Sequence, residues 1–375
     1  MIMTQHTSDI LIIGGGVMGN GIAYELARRG LSVRVVEQNT IGSGTSYGAA
    51  GMLPPQVEAH APGPLLEFAR DSFEKYPHWQ QELYEITGMS IDLDTRGIIQ
   101  VAETDAEIVA LHNQKKWQES LGLEVTPLSS EDIREWVPGI RDGVEYGLLT
   151  PGGQVQANRL SQSLAIAASH LGAHIHEGIT VTRIDRNRVE TSSGLFEAKT
   201  IVVATGAWLQ ALTGAAVYPV KGQRLVLEQP TRIATRITVF AENCYMVPKS
   251  GGQVLVGATE EPHAGYDRNT TLSAILTVGS AASNLCPSLD NARLLEAWAG
   301  LRPCTNDGLP IIGRLPSTDN VWVVGGHCRN GILLAPFTAR MMAEAIVEGT
   351  SIPKELSPER FDLSHLWYPD HPSNP

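Results

Sequence analysis

Asp9-Ile-Leu-Ile-Ile-Gly14-Gly15-Gly16-Val17-Met18-Gly19, with an acid at Glu37, is the stretch whose reading decides the fold. It reads as strand, glycine turn, helix, strand, acid. The run 10–13 is short, apolar and rich in β-branched residues, as a strand buried on both faces requires. Gly14, Gly16 and Gly19 occupy the three positions of a G-x-G-x-x-G fingerprint. The first permits a tight turn, the second lets a pyrophosphate approach the backbone, and the third lets the helix pack close on the strand. The predicted helix, 18–29, turns its N-terminal amides and positive dipole end toward that pyrophosphate. Gly30 closes it, 32–36 forms a second strand, and Glu37 stands where a carboxylate accepts the ribose hydroxyls of an adenosine. A bound dinucleotide follows. An acid rather than an arginine at this point disfavours a 2′-phosphate, which leaves FAD or NAD.

Composition sets the outer limits. A chain of 375 residues is long enough for two domains, and 42% hydrophobic with 18% charged residues describes an ordinary soluble enzyme. The formal net charge of −12 argues against nucleic acid or an anionic membrane as partner, since both need a basic face. Neither a secretory signal pattern nor a membrane-length apolar run is read, so a cytoplasmic protein is expected. Without a secretory signal, the acceptor-like triplet Asn269-Thr-Thr carries no weight. Cys244, Cys286, Cys304 and Cys328 lie far apart with no C-x-x-C pair. They are expected to be free thiols, with neither a zinc site nor a disulfide. His174 and His176 alternate with no cysteine or paired acids beside them, so no metal is expected there.

Along the chain, 42–52 is a small-residue segment suited to wrapping a flat ligand, and 64–88 is read as helical. A strand at 97–102, a helix at 104–121 and a serine-capped helix after 128 follow. Then come a helix at 156–172, a three-stranded meander over 179–198 and a strand at 200–204. From 217 to 301 the pattern is alternating strands broken by one helix, 271–285. A strand at 321–326 and a helix at 334–348 return to the nucleotide-domain pattern. The expected architecture is α/β (α+β): a discontinuous nucleotide-binding domain (1–88, 147–216 and 301–375) with a mostly antiparallel-sheet substrate domain (89–146 and 217–300) inserted into it.

Four segments together resemble the D-amino-acid oxidase-like flavoproteins: the N-terminal fingerprint, Ala204-Thr-Gly-Ala-Trp208, Gly300-Leu-Arg-Pro-Cys-Thr-Asn-Asp-Gly-Leu-Pro-Ile-Ile-Gly313, and Val323-Val-Gly-Gly-His-Cys-Arg-Asn-Gly-Ile332. The segment 245–259, Tyr-Met-Val-Pro-Lys-Ser-Gly-Gly-Gln-Val-Leu-Val-Gly-Ala-Thr, is most similar to the glycine-oxidising branch found in bacterial thiamin biosynthesis. The resemblance implies FAD, lying in a Rossmann-like domain where it meets the sheet domain. Gly14, Gly16, Gly19 and Glu37 would hold the adenosine half. Thr45 and Ser46 would meet the pyrophosphate or ribityl chain, Val181 the adenine, and Thr205 and Gly206 the cofactor's flank. Amides around Gly331 and Ile332 would face the pyrimidine ring, where donors stabilise the anionic reduced flavin. Alignment with the covalent sarcosine oxidases puts Gly300 at their linking position and Cys304 four residues away, so FAD is expected to be non-covalent.

The resemblance also implies the chemistry: oxidative deamination of glycine, with sarcosine and small D-amino acids as further substrates. Hydride passes to flavin N5, and oxygen is reduced to hydrogen peroxide. Arg302 is the candidate carboxylate clamp, because a guanidinium can make two parallel charge-assisted bonds. Tyr245 would add a hydroxyl to the same carboxylate. Arg329 is either a second cation near the substrate or an anchor, and Met52 is either the pocket's apolar wall or core. Glu260 either binds the substrate amine or is solvated. His327 lies beside the flavin loop, but hydride transfer from a neutral amine needs no side-chain base, and no residue is assigned that role. The alternative is a D-amino-acid or related amine dehydrogenase with a non-oxygen acceptor. An RNA-modifying flavoprotein would need a basic surface that the sequence lacks. A homo-oligomer, often a tetramer in this family, completes the expectation.

Overall fold

The computed structural model describes residues 5–59, 61–229, 235–316 and 318–361. Two eight-stranded sheets carry the chain. In the first, strand Gln5–Ile13 lies centrally, parallel to Val33–Val36 on one side and to Gly194–Val203 on the other. Val321–Gly325 continues the parallel array beyond Gly194–Val203. Ile10, Leu11, Ile12 and Ile13 are all buried, because helices cover one face and the 181–203 meander the other. Helices Val17–Ala27, Ala157–His170 and Ala335–Glu348 form the helical layer.

The second sheet runs Arg293–Cys304, Tyr218–Glu228, Gln253–Gly257, Tyr245–Lys249, Thr238–Phe240, Ile98–Ala102, Tyr146–Thr150, Thr126–Ser129. Its pairs are antiparallel except Thr238–Phe240 with Ile98–Ala102. Its most extensive pairing joins Tyr218–Glu228 to Arg293–Cys304, with Val220 opposite Arg302, Gly222 opposite Gly300 and Arg224 opposite Trp298.

Three details differ from the sequence reading. The helical stretch 64–88 is two helices, Pro64–Glu74 and Tyr76–Thr87, the second with a proline in its first turn, where the missing N–H costs no helical bond. Residues 194–203 form one continuous strand, its first half pairing back on the meander and its second half inside the parallel core. The expectation of four free thiols is overturned: Cys304 and Cys328 form a disulfide, while Cys244 and Cys286 are buried and outside it. Twenty-four residues separate the bonded cysteines, yet their Cα atoms stand 4.4 Å apart. The end of a substrate-sheet strand and the loop after Val321–Gly325 are brought together only by tertiary folding.

Candidate active site

A long cavity opens at the C-terminal ends of the parallel strands, the crevice where open α/β sheets bind ligands. Gly14 has φ +107°, and a Cβ there would fall 2.5 Å from the Ala204 carbonyl oxygen. A Cβ at Gly19 would fall 1.9 Å from the Gly14 oxygen, so the helix can sit against the turn only as glycine. Glu37 is pinned to that turn: it accepts from the Gly15 amide (2.8 Å) and the Asn39 amide (2.9 Å). Ser46 Oγ accepts from the first amide of the helix, Val17 N, at 3.0 Å. The Thr45 hydroxyl donates to the Leu301 carbonyl at 2.6 Å and ties the wrapping segment to the substrate sheet. Within 42–52 the chain forms a single helical turn, Thr45–Gly48.

The cavity is lined by Gly14, Gly16, Glu37, Thr45, Ser46, Val181, Thr205, Gly206, Gly331 and Ile332, whereas Gly19 serves the packing beneath it. One orphan tests whether a dinucleotide fits. Thr205 Oγ1 is buried with no partner among the described residues, a cost that a bound polar group removes. With the glycine turn, the helix N-terminus and the pinned acid, the donor set suits FAD.

A second, smaller cavity adjoins the first and shares Thr45, Cys328, Arg329 and Ile332 with it. Its wall also includes Met52, Glu58, Arg224, Tyr245, Ala258, Trp298 and Arg302. Arg302 reaches back from its strand to lie over Gly222, and Nη1 donates to the Thr259 carbonyl at 3.2 Å. No protein carboxylate pairs with it among the described residues, and burial lowers its pKa. An unneutralised, largely desolvated guanidinium is a receptor for a ligand carboxylate. The Tyr245 hydroxyl stands over Gly257, and burial raises its pKa against the pull of Arg302, Arg224 and Arg329, so it stays a neutral donor.

Arg329 is engaged instead by Glu58, to which Nε and Nη2 donate at 3.1 and 2.9 Å. Burial opposes its charge, but Glu58 outweighs burial and the net shift is upward. Glu260 points largely to solvent, 67% exposed, with an oxygen 4.0 Å from Arg329 Nη1. His327 is buried, its Nε2 is 3.1 Å from the Thr338 hydroxyl, and burial pushes its pKa down to about 3. It is therefore neutral at physiological pH.

Two site residues escaped the sequence reading. Glu58 lies in an irregular segment and carries no motif. Arg224 sits in an alternating strand where its chemistry has no local signature. Its Nε donates to the Gly48 carbonyl (2.8 Å), its guanidinium stacks 5.5 Å from the Trp298 ring centre, and Glu296 lies 3.6 Å from Nη2. Among the described residues, no group of histidines, cysteines and acids is placed to hold a metal, and no helix is long and apolar enough to cross a membrane.

Comparison with known proteins gives consistent results. A family described as FAD dependent oxidoreductase matches residues 9–345. The glycine oxidase of Geobacillus kaustophilus (strain HTA426) is 36% identical over 365 residues, covering 94% of this chain and 96% of the relative. Its crystal structure superposes with a TM-score of 0.88 over 92% of this chain and 96% of that one. The bifunctional protein ThiO/ThiG of Synechocystis sp. (strain ATCC 27184 / PCC 6803 / Kazusa) is 35% identical over 371 residues, covering 95% of this chain and 54% of that protein. The L-proline dehydrogenase structure from P. horikoshii has a TM-score of 0.86 at 25% identity, covering 97% of this chain and all of that one.

Proposed function

This chain belongs to the FAD-dependent oxidoreductase family, and from that premise we propose that it oxidises glycine, and sarcosine or small D-amino acids with it, to the imine. The imine hydrolyses to the 2-oxo acid and ammonia. One observation carries this reading: a half-buried arginine with no acid partner among the described residues, Arg302, stands with the Tyr245 hydroxyl in a small cavity that opens directly onto the dinucleotide cavity.

When bound, FAD supplies the acceptor for the α-hydride and delivers the two electrons to oxygen as hydrogen peroxide. The side chains do the positioning. Arg302 clamps the substrate carboxylate, and Tyr245 donates a further hydrogen bond, each contact contributing about 1.5–3 kcal/mol for a charged partner. Met52, Ala258 and Trp298 bound the space left for the α-substituent and so favour small amines. Glu58 pairs with Arg329 and Glu296 lies 3.6 Å from Arg224, so the wall's other two arginines each have an acid beside them and Arg302 is the carboxylate's destination. A neutral His327 withholds charge from the flavin loop, and the amine proton leaves to solvent.

The glycine oxidases among its relatives, and ThiO/ThiG in particular, support a role in thiamin biosynthesis. The homo-oligomer reading is supported by Leu272 and Leu276, one helical turn apart and 72% and 60% exposed. A cytoplasmic location fits the acidic balance of the chain.

Anaerobic addition of glycine to the purified yellow protein, followed by air, tests the proposal. Bleaching by glycine and fast recolouring with peroxide is the expected result. Bleaching with slow recolouring would instead make the protein a dehydrogenase. No bleaching by glycine, sarcosine or D-alanine would remove small amino acids as substrates.

A further inference from the structure

The disulfide joins the two segments that carry Arg302 and Arg329. Cys304 is two residues after Arg302, at the end of strand Arg293–Cys304, and Cys328 immediately precedes Arg329. Cys328 lines both cavities, so the bond lies where the dinucleotide space meets the substrate space. The chain continues from it to Gly331 and Ile332, which line the dinucleotide cavity. Cys328 also has φ +44°, a left-handed conformation that a residue with a Cβ adopts only when its surroundings hold it there. Pro303 on the cavity wall completes the link from Arg302.

We propose that the Cys304–Cys328 bond is a positioning crosslink that sets the spacing of Arg302 against the Arg329–Ile332 loop, and that the enzyme's own peroxide closes it. Both arms take Arg302 as the carboxylate clamp proposed above; only the crosslinking arm also needs the oxidase reading. In the dithiol, one sulfur attacks a peroxide oxygen. The S–O bond forms, the O–O bond breaks, and one water leaves with a sulfenic acid behind. The second thiol then attacks that sulfur; the S–S bond forms, the S–O bond breaks, and a second water leaves. The pair loses two electrons and peroxide gains them. Peroxide generated in the adjoining cavity meets Cys328 before it reaches bulk solvent. A chain made in a reducing environment thus begins as a loosened, weakly binding enzyme, and turnover tightens it.

The test uses the FAD-loaded protein in three states: crosslinked, reduced and desalted, and the variant pair Cys304→Ser and Cys328→Ser. Thiol alkylation and mass measurement count the bond directly, and glycolate titration of the flavin spectrum reads carboxylate binding without turnover. The expected result is glycolate binding about tenfold weaker in the reduced protein and in both variants, since small misplacements of a clamp are costly. Re-oxidation should restore it in the wild type alone. Equal glycolate affinity in all states, with only the melting temperature changed, would reduce the bond to a structural staple and overturn the positioning role. Reduced enzyme given sub-saturating glycine in air should show oxygen uptake that accelerates as thiols disappear, and prior peroxide treatment should abolish the lag. A steady rate from the outset, or thiols that survive many turnovers, would overturn the self-closing step. Absence of oxygen uptake in every state would sink the oxidase reading, and the self-closing step with it, while the titration still decides the positioning role.

Discussion

The guanidinium of Arg302 occupies the space a side chain at Gly222 would fill: a Cβ there would fall 2.4 Å from its carbon and both terminal nitrogens. The two residues belong to neighbouring antiparallel strands two register positions apart, Arg302 opposite Val220 and Gly222 opposite Gly300. The glycine is thus the seat of the carboxylate clamp. Because the obstructed atoms are the far end of a flexible side chain, Gly222→Ala should fold normally and bind FAD while pushing the guanidinium aside. Steady-state kinetics should show KM for glycine raised by about ten- to hundredfold. An unchanged KM would mean that Arg302 does not hold the substrate.

Arg302→Lys keeps the charge but loses the planar fork. The loss of one charge-assisted bond corresponds to about 1.5–3 kcal/mol in kcat/KM, with FAD content unchanged. Titration with glycolate should show a parallel loss, because the missing contact is to the carboxylate rather than to the transition state alone.

Glu58 neutralises Arg329 at the wall of the same cavity. In Glu58→Gln the cation stays and its acid disappears, so the cavity becomes more positive. Glycolate should bind more tightly while the melting temperature drops, the cost being about 1 kcal/mol because the arginine is partly exposed. Weaker glycolate binding would show that the pair's geometry, rather than its charge balance, matters to the site.

His327 gives the fold a definite acid limb. Its folded pKa, about 3, lies below the ordinary histidine value of 6.5 because it is buried. Between those values the unfolded chain binds more protons than the folded one, so stability rises with pH across the window and is lost as pH falls through it. His327→Gln should flatten the melting-temperature profile between pH 6.5 and 4 relative to wild type. An equally steep profile would assign the acid lability to other groups.

The dinucleotide half of the protein was open to inspection in one dimension because its determinants are local. Ile10 to Gly19 and Glu37 lie within one strand–turn–helix–strand unit, where each glycine answers a backbone requirement and each apolar residue a burial requirement. Helix ends were legible for the same reason: the Thr104, Ser129 and Thr271 side chains each cap the helix that follows by bonding an amide three residues on. Arg302, Tyr245 and Met52 could be singled out by resemblance, and tertiary structure decided what each one meets. It lays Arg302 over Gly222 with no carboxylate paired to it among the described residues, gives Arg329 to Glu58, and turns Glu260 outward. It also joins Cys304 to Cys328. These relations depend on where distant strands and loops return in space. A side chain's partner across 271 residues, as with Glu58 and Arg329, leaves no periodicity or spacing in the chain to reveal it.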